Sequence, residues 1–581
     1  MSDHAARQWD ADTVLLVVLA GLASVISFVL YFRSGGIMLF GDAVAHMNIA
    51  RRVFDSRTPG LLQLGTVWLP LPHLLMIPFV ISNGAWQSGL GGSLPSMAAY
   101  VFGVLGIFRL VRAVFGTEGT GRITAWLAAA IYGLNPNLLY LQSTAMTETL
   151  YLAFFIWSLV YFTEFLQDRQ DAEWNAQAKQ SLWKCGACLL AGCLTRYDGW
   201  FVAAVLGGIV ILLSVRQPRD WKAAARFLLL AWIGPLLWLG YNAIVYKNPL
   251  EFANGPYSAK AIEQRGMAGG DAPHPGTNNL FTAGLYFLKA AQLNVAEGNW
   301  GRCWLGAVLV GSFAMFFLRR QTADPLKKGG ARECARYMLL LWLPLPFYVL
   351  SVAHGSVPIY TPAWWPFSLY NVRYGVQLLP ALAVFFAIAV NWLASLASSR
   401  TSARWITLGL PLAAVAFVLV SYAQVWRAQP VSYREAWANS RSRIQLDRSV
   451  ADQISHLPAK ATILMYLGEH VGVLQDAAIP LARTINEGNH RTWRQPSDPE
   501  GLWERALADP AKYADFAIAF EGDPVWKALH DRGLPVLTII AVNGQTRVTI
   551  YQTRTAPRMS PVTMQVNAPS WVARKYPVFR G

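Results

Sequence analysis

The sequence predicts a helical, polytopic membrane protein that ends in a smaller α/β domain. Three observations lead there. Only 14% of the 581 residues are charged, while 54% are hydrophobic, 24 Trp among them; a soluble globular chain carries about 25% charged residues. Second, apolar stretches recur at about the 20-residue length that crosses a hydrocarbon layer about 30 Å thick. Third, from about residue 430 the composition turns ordinary, with mixed charges and turn residues. Together these exclude a single soluble domain and a disordered chain. The formal charge of +16 could suggest nucleic acid, but the basic residues sit between apolar spans. There they mark loops held on the cytoplasmic side, so no nucleic-acid partner is expected.

Eleven spans are predicted, near 13–32, 94–115, 123–141, 149–166, 181–195, 199–215, 226–246, 302–318, 336–353, 374–394 and 404–425. The first is followed by no small-residue cleavage site and reads as a retained anchor. Every even-numbered span ends in a basic loop: Arg109, Arg112 and Arg122; Arg169, Lys179 and Lys184; Arg216, Arg219, Lys222 and Arg226; Arg319, Arg320, Lys327, Lys328, Arg332 and Arg336; Arg400 and Arg404. That pattern predicts a cytoplasmic N-terminus and an outer C-terminal segment, periplasmic or extracellular, on a multi-pass protein of the cell (inner) membrane. Residues 67–82 are apolar but short and carry prolines 70, 72 and 78. They are expected to form an interfacial or re-entrant segment rather than a span. The long external segments are then 33–93, 247–301, 354–373 and 426–581, which places the work on the outer face. The domains follow: 1–428 membrane-embedded, including outer loop 33–93, and 429–581 extracytoplasmic.

In the C-terminal segment 461–468, 481–486 and 514–520 read as strands. The stretches 471–478, 502–513 and 523–533 read as helices, the last opened by Asp523 and closed by Gly533. Two further strands meet at Asn543-Gly544 in a hairpin. Gly468 and Gly472 form no dinucleotide fingerprint, so nucleotide binding is rejected. Cys185 and Cys188 have a redox or zinc spacing, but no partner pair follows.

Four places could carry chemistry. Asp42 lies at the lip of the first span, where an acid is costly to bury. His46 shares its helical face, and a helix cap is the plainer role for Asp42. Glu148 opens span four, as a functional acid or as a favourable charge at a helix start. The run Tyr370, Asn371, Val372, Arg373, Tyr374 opens span ten, where Arg373 offers a planar fork to a phosphate or simply snorkels to headgroups. Before it, His354, Tyr360, Trp364 and Trp365 suit a sugar, a lipid groove or an interfacial belt. Arg196-Tyr197-Asp198 forms a short outer turn in which Arg196 pairs with Asp198 or binds an anion. Lys260, Arg265 and His274 lie in the Gly/Pro-rich loop 254–279, with no role fixed. Asp42 and Glu148, if they meet, could hold a divalent metal or orient a hydroxyl. No other cofactor is indicated.

The segments GDAVAHMNIARRVFD, NPNLLYLQSTAMTETLYL, LTRYDGW and NVRYGVQLLPAL, in that order and on one membrane side, resemble the GT-C superfamily of membrane glycosyltransferases. The likeness is to its polyprenyl-phosphate-sugar branch, which holds the protein O-mannosyltransferases and the bacterial aminoarabinose transferase of lipid A. The resemblance spans about residues 10–400. It implies a sugar donor on a polyprenyl phosphate, an acceptor hydroxyl on a glycan, lipid or protein, and inversion at the anomeric carbon. It implies Asp42 as the catalytic base and Arg373 on the donor phosphate. Glu148, Tyr374, His46, Asn371, Arg196 and Tyr360 are expected to contact substrate, with His73 a weaker candidate. One departure concerns the acceptor: Ala43 follows Asp42 where protein mannosyltransferases have an acidic pair. The alternative is a secondary transporter or a flippase for a lipid-linked substrate. A transporter would place ionisable groups near the midplane, whereas here the conspicuous acids sit at outer edges.

Overall fold

Helix order explains how distant segments converge. The computed structural model describes residues 9–169, 174–317, 336–398, 404–468, 470–489, 500–554 and 562–565. Helix α1 (Ala11–Arg33) begins at Asp10, whose carboxylate accepts the Thr13 amide at 2.9 Å. Asp10 also meets Arg112, and Asp12 meets Arg122, each at 2.6 Å. Two residues of the first basic loop therefore sit at the start of α1. Its outer face leaves Leu15, Val18, Leu22 and Val25 exposed, a surface suited to lipid. After α1 the chain turns at Gly35 (φ 71°) and enters α2 (Gly41–Arg52).

The end of α2 is tied down by Arg51. Its guanidinium reaches Asp55 at 2.8 Å, the Val80 carbonyl at 2.7 Å and Asn83 at 2.6 Å. Segment 67–82 holds a single ten-residue helix, α3 (Leu71–Val80). At 1.5 Å per residue it is about half the length of a crossing. Its first amide donates to the Leu194 carbonyl at 3.0 Å, which docks it on the bundle.

The bundle continues with α4 (Leu90–Phe115), α5 (Gly119–Gly133), α6 (Glu148–Asp168), α7 (Ala176–Cys193), α8 (Asp198–Arg216) and α9 (Trp221–Val245). It is completed by α10 (Leu280–Leu293), α11 (Trp300–Ala314), α12 (Pro344–His354), α13 (Leu379–Ser398) and α14 (Arg404–Ala428). Each predicted span contains helix. Among the described residues, seven helices are long and apolar enough to cross a membrane on their own. The others are shorter or more polar: α5 and α11 have 15 residues each, and α7 carries Lys179 and Lys184. Arg319, Arg320, Lys327, Lys328, Arg332 and Arg400 of the predicted basic loops lie outside the described residues. Helices α11 and α13 approach closely at Gly311, where a Cβ would overlap the Phe385 carbonyl.

After a break at Gln429-Pro430, α15 (Val431–Ile454) leads out of the bundle. Its buried face recurs at helical spacing: Val431, Glu435, Leu446, Val450 and Ile454. It ends on a six-stranded sheet: β1 (Ile463–Met465), β2 (Thr484–Ile485), β3 (Phe516–Phe520), β4 (Val536–Ala541), β5 (Val548–Gln552) and β6 (Val562–Gln565), in the order β2-β1-β3-β5-β4-β6. β1 is parallel to β2 and β3, while β5 runs antiparallel to β3 and β4. Val450 and Ile454 share one apolar cluster with Ile463, Ile518 and Val548. The hairpin around Asn543-Gly544 forms as expected, with Gly544 at φ 76°. The helix expected over 502–513 is broken into Leu502–Ala508 and Pro510–Tyr513, because Pro510 has no amide to continue it. The helix after Asp523 is short (Pro524–Leu529), and β6, parallel to β4, was not foreseen.

Candidate active site

Asp42 sits in the first turn of α2. The cap position belongs to Phe40, which makes no side-chain cap bond, so Asp42 is not the capping residue. Its carboxylate turns instead to a residue 331 positions away, accepting Arg373 Nη2 at 2.7 Å. Arg373 does not snorkel: it is buried, 6% exposed. Asn371 adopts a left-handed conformation (φ 54°) that starts the 3₁₀ turn Val372–Leu378, and its amide side chain donates to the Pro358 carbonyl at 2.8 Å. That turn aims Arg373 inward and commits Asn371 to backbone shaping.

Three carboxylates surround Arg373. Besides Asp42, Glu148 Oε1 accepts Nε at 3.3 Å and Glu435 Oε1 accepts Nη1 at 2.5 Å. The guanidinium also lies 4.9 Å from the Phe40 ring centre and 5.0 Å from that of Tyr374. Glu148 is fully buried as the first residue of α6. Ser143 and Thr144 donate to carbonyls of their own turn, and Thr147 makes no cap bond. Thr147 instead accepts Arg196 Nη1 at 3.1 Å.

Arg196 forms a second cationic centre. It pairs with Asp198 at 3.2 Å, donates to the Tyr348 hydroxyl at 2.8 Å, and stands 3.5 Å from Glu148. Tyr374 lies between the two arginines, 5.2 Å from Arg196. Glu148 thus separates two guanidiniums with one oxygen, while its Oε2 has no hydrogen-bond partner among the described residues. Four carboxylates (Asp42, Glu148, Asp198, Glu435) face two cations. An incoming anion therefore competes with these acids for either guanidinium.

His46 is buried one turn along α2, its Nδ1 2.9 Å from His73 Nε2 and its ring 4.7 Å from Trp68. Burial pushes His46 down to about 4, so it is neutral at ordinary pH. Tyr360 does not join the cluster: its backbone pairs with Tyr370 at 2.9 Å and their rings lie tilted at 38°, with centres 5.8 Å apart. His274 is used locally, 3.2 Å from Glu263. The residue missed by the sequence reading is Glu435. It falls on the buried face of α15 at helical spacing, and that periodicity is the signal that could have found it. A divalent ion would find here Asp42 and the open Oε2 of Glu148, with Arg373 between them. Among the described residues no three His, Cys, Asp or Glu side chains are placed to share a metal.

No family model and no curated protein matches the chain in sequence. Solved structures do match in shape. ArnT from Cupriavidus metallidurans bound to undecaprenyl phosphate aligns with a TM-score of 0.54 at 14% identity, covering 94% of this chain and 99% of that one. The same protein in the apo state aligns at 0.56 and 16%, covering 93% and 98%. The chain has the ArnT fold. That is a GT-C fold, as the four sequence segments led one to expect. The archaeal oligosaccharyltransferase AglB from Archaeoglobus fulgidus, in complex with an inhibitory peptide and a dolichol-phosphate, aligns at 0.45 and 12%, covering 88% and 69%.

Proposed function

We propose that this protein is a membrane glycosyltransferase that moves a sugar from a polyprenyl phosphate to an acceptor hydroxyl on the outer face of the membrane. The observation that carries the proposal is the 2.7 Å meeting of Asp42 with Arg373. A base and an anion-binding cation 331 residues apart in the chain stand side by side, in the fold of a protein crystallised with undecaprenyl phosphate.

The chemistry needs little more. The acceptor oxygen attacks the anomeric carbon, and its proton passes to Asp42. The bond from that carbon to the phosphate oxygen breaks, and its electron pair stays on the phosphate. Arg373 neutralises that charge as it develops. Attack opposite the leaving phosphate inverts the anomeric centre. Arg196, held by Asp198 and Tyr348, adds positive potential behind Tyr374. The lipid phosphate is already an activated leaving group, so no nucleotide is required at the site. Outer placement is supported by α1 itself: Arg112 and Arg122 lie at its start, and Asp42 follows its other end.

The test is incubation of purified protein with labelled polyprenyl-phosphate sugars and candidate lipid, glycan and peptide acceptors. Wild type transfers label, whereas Asp42→Asn and Arg373→Ala, recovered folded, do not. Full transfer by either variant refutes the assignment.

A further inference from the structure

A donor phosphate that reaches Arg373 meets a guanidinium already shared by three carboxylates and competes with them for it. They differ in access. The Asp42 side chain is 43% exposed, whereas those of Glu148 and Glu435 are 1% exposed. Asp42 is therefore the contact that an arriving ligand can replace.

Glu435 is bound differently from the other two. One oxygen accepts both Arg373 Nη1 and the Asn371 amide (3.1 Å), and the other accepts the Arg373 amide at 3.0 Å. A single carboxylate thus closes a ring through the backbone and the side chain of the same arginine. A free Arg side chain samples many rotamers, and this ring removes much of that freedom before substrate arrives.

We infer that Glu435 is a positioning residue of the transferase: it clamps Arg373 from the α15 side, so the guanidinium keeps its place when the donor phosphate displaces Asp42. The inference rests on the transferase proposal above. It gives α15 a role beyond connecting bundle and sheet, because the same helix also steadies the other partner. Arg443, two turns on, donates to the Leu39 carbonyl at 3.1 Å and pairs with Asp447 at 3.0 Å. Leu39 lies three residues before Asp42. Helix α15 therefore sets both members of the reacting pair, one through Glu435 and one through Arg443.

The test is Glu435→Gln, which keeps the shape and the acceptor oxygen but drops the charge. The charged and titratable groups around the pair are Asp42, Glu148, Arg196, His46, Tyr370 and Tyr374. With Glu435 neutral, Arg373 loses its hold on the α15 side and is free to swing toward Asp42. The expected result is a kcat at least tenfold lower with donor KM changed less than threefold. Wild-type kcat per folded protein, with activity lost only in proportion to folded protein by size-exclusion fluorescence, overturns the inference. Should the Gln variant fail to fold, Glu435→Asp decides: the shorter carboxylate loses kcat with donor KM little changed, and wild-type kcat counts against the clamp. Full activity of Arg373→Ala would instead remove the transferase proposal itself. An inactive Arg373→Ala beside an unaltered Glu435→Gln removes only the clamp.

Discussion

Replacing Arg373 with Ala should destabilise the protein, and the loss should depend on pH. The substitution leaves Glu435 inside the bundle without its cation, and Glu148 with only its longer 3.5 Å contact to Arg196. Asp42, 43% exposed, can turn to solvent and adds little. Breaking a buried pair by removing one partner costs about 3–5 kcal/mol. The two ring contacts, at 4.9 and 5.0 Å, add about 0.5–1 kcal/mol each. A deficit of about 4–7 kcal/mol therefore stands against the marginal stability of about 5–15 kcal/mol usual for folded domains. The sign with pH follows from linkage. A buried carboxylate stripped of its cation prefers to be neutral, so its folded-state pKa rises above the unfolded value near 4.3. A raised carboxylate costs nothing below the unfolded pKa and destabilises progressively as pH rises through the folded one. The assay is thermal unfolding in detergent micelles, read by tryptophan fluorescence at pH 5 to 8. The variant should fall furthest behind wild type at pH 8 and recover part of the gap at pH 5. A deficit below about 1 kcal/mol, or one independent of pH, would refute the buried-cation argument.

Other outcomes follow from the same geometry. Gly375→Ala places a Cβ on the Ala290–Ala291 peptide of α10, so the Arg373 turn must move; transfer assays should show a drop of tenfold or more, and an unaffected rate would show that the turn tolerates the shift. His46 is held neutral with its pKa near 4 by burial, against 6.5 when exposed. Its stabilising contribution is complete above pH 6.5 and fades as pH falls toward 4, by about 3 kcal/mol at 1.36 kcal/mol per unit. Unfolding curves of His46→Gln should therefore lose less between pH 6.5 and 4 than wild type does. Arg443→Ala removes the donor to the Leu39 carbonyl and strands Asp447, which is 1% exposed. Melting should report a loss of about 2–4 kcal/mol, with lowered transfer by the folded fraction; an unchanged melting point would mean that α15 does not brace the Asp42 loop.

Much of the bundle was legible because a membrane imposes length and apolarity directly. The span ending before Asp42 and the one opening at Glu148 could be read from hydropathy, and both acids were visible as charges at a lip. Arg373 could be read as an anion-binding cation, yet its burial could not, since that depends on α15 folding back over the turn. Glu435 shows the limit most clearly. In a stretch of ordinary soluble composition one acid draws no notice, although its place on the Val431–Ile454 face carried the signal. Tyr360 illustrates the opposite case: an aromatic near the site in sequence, it is spent on a two-residue strand pair with Tyr370. The break at Pro510 follows from local chemistry, whereas β6 owes its place to partners far along the chain.

The central claim is that Asp42 takes a proton while a lipid phosphate departs beside Arg373. Single-turnover release of free polyprenyl phosphate from a labelled sugar donor, with acceptor present, measures it directly. Wild type should release the lipid and a product of inverted anomeric configuration, and Asp42→Asn should release neither at a comparable rate. Release by Asp42→Asn at the wild-type rate, or a product that keeps the donor's configuration, would contradict the account.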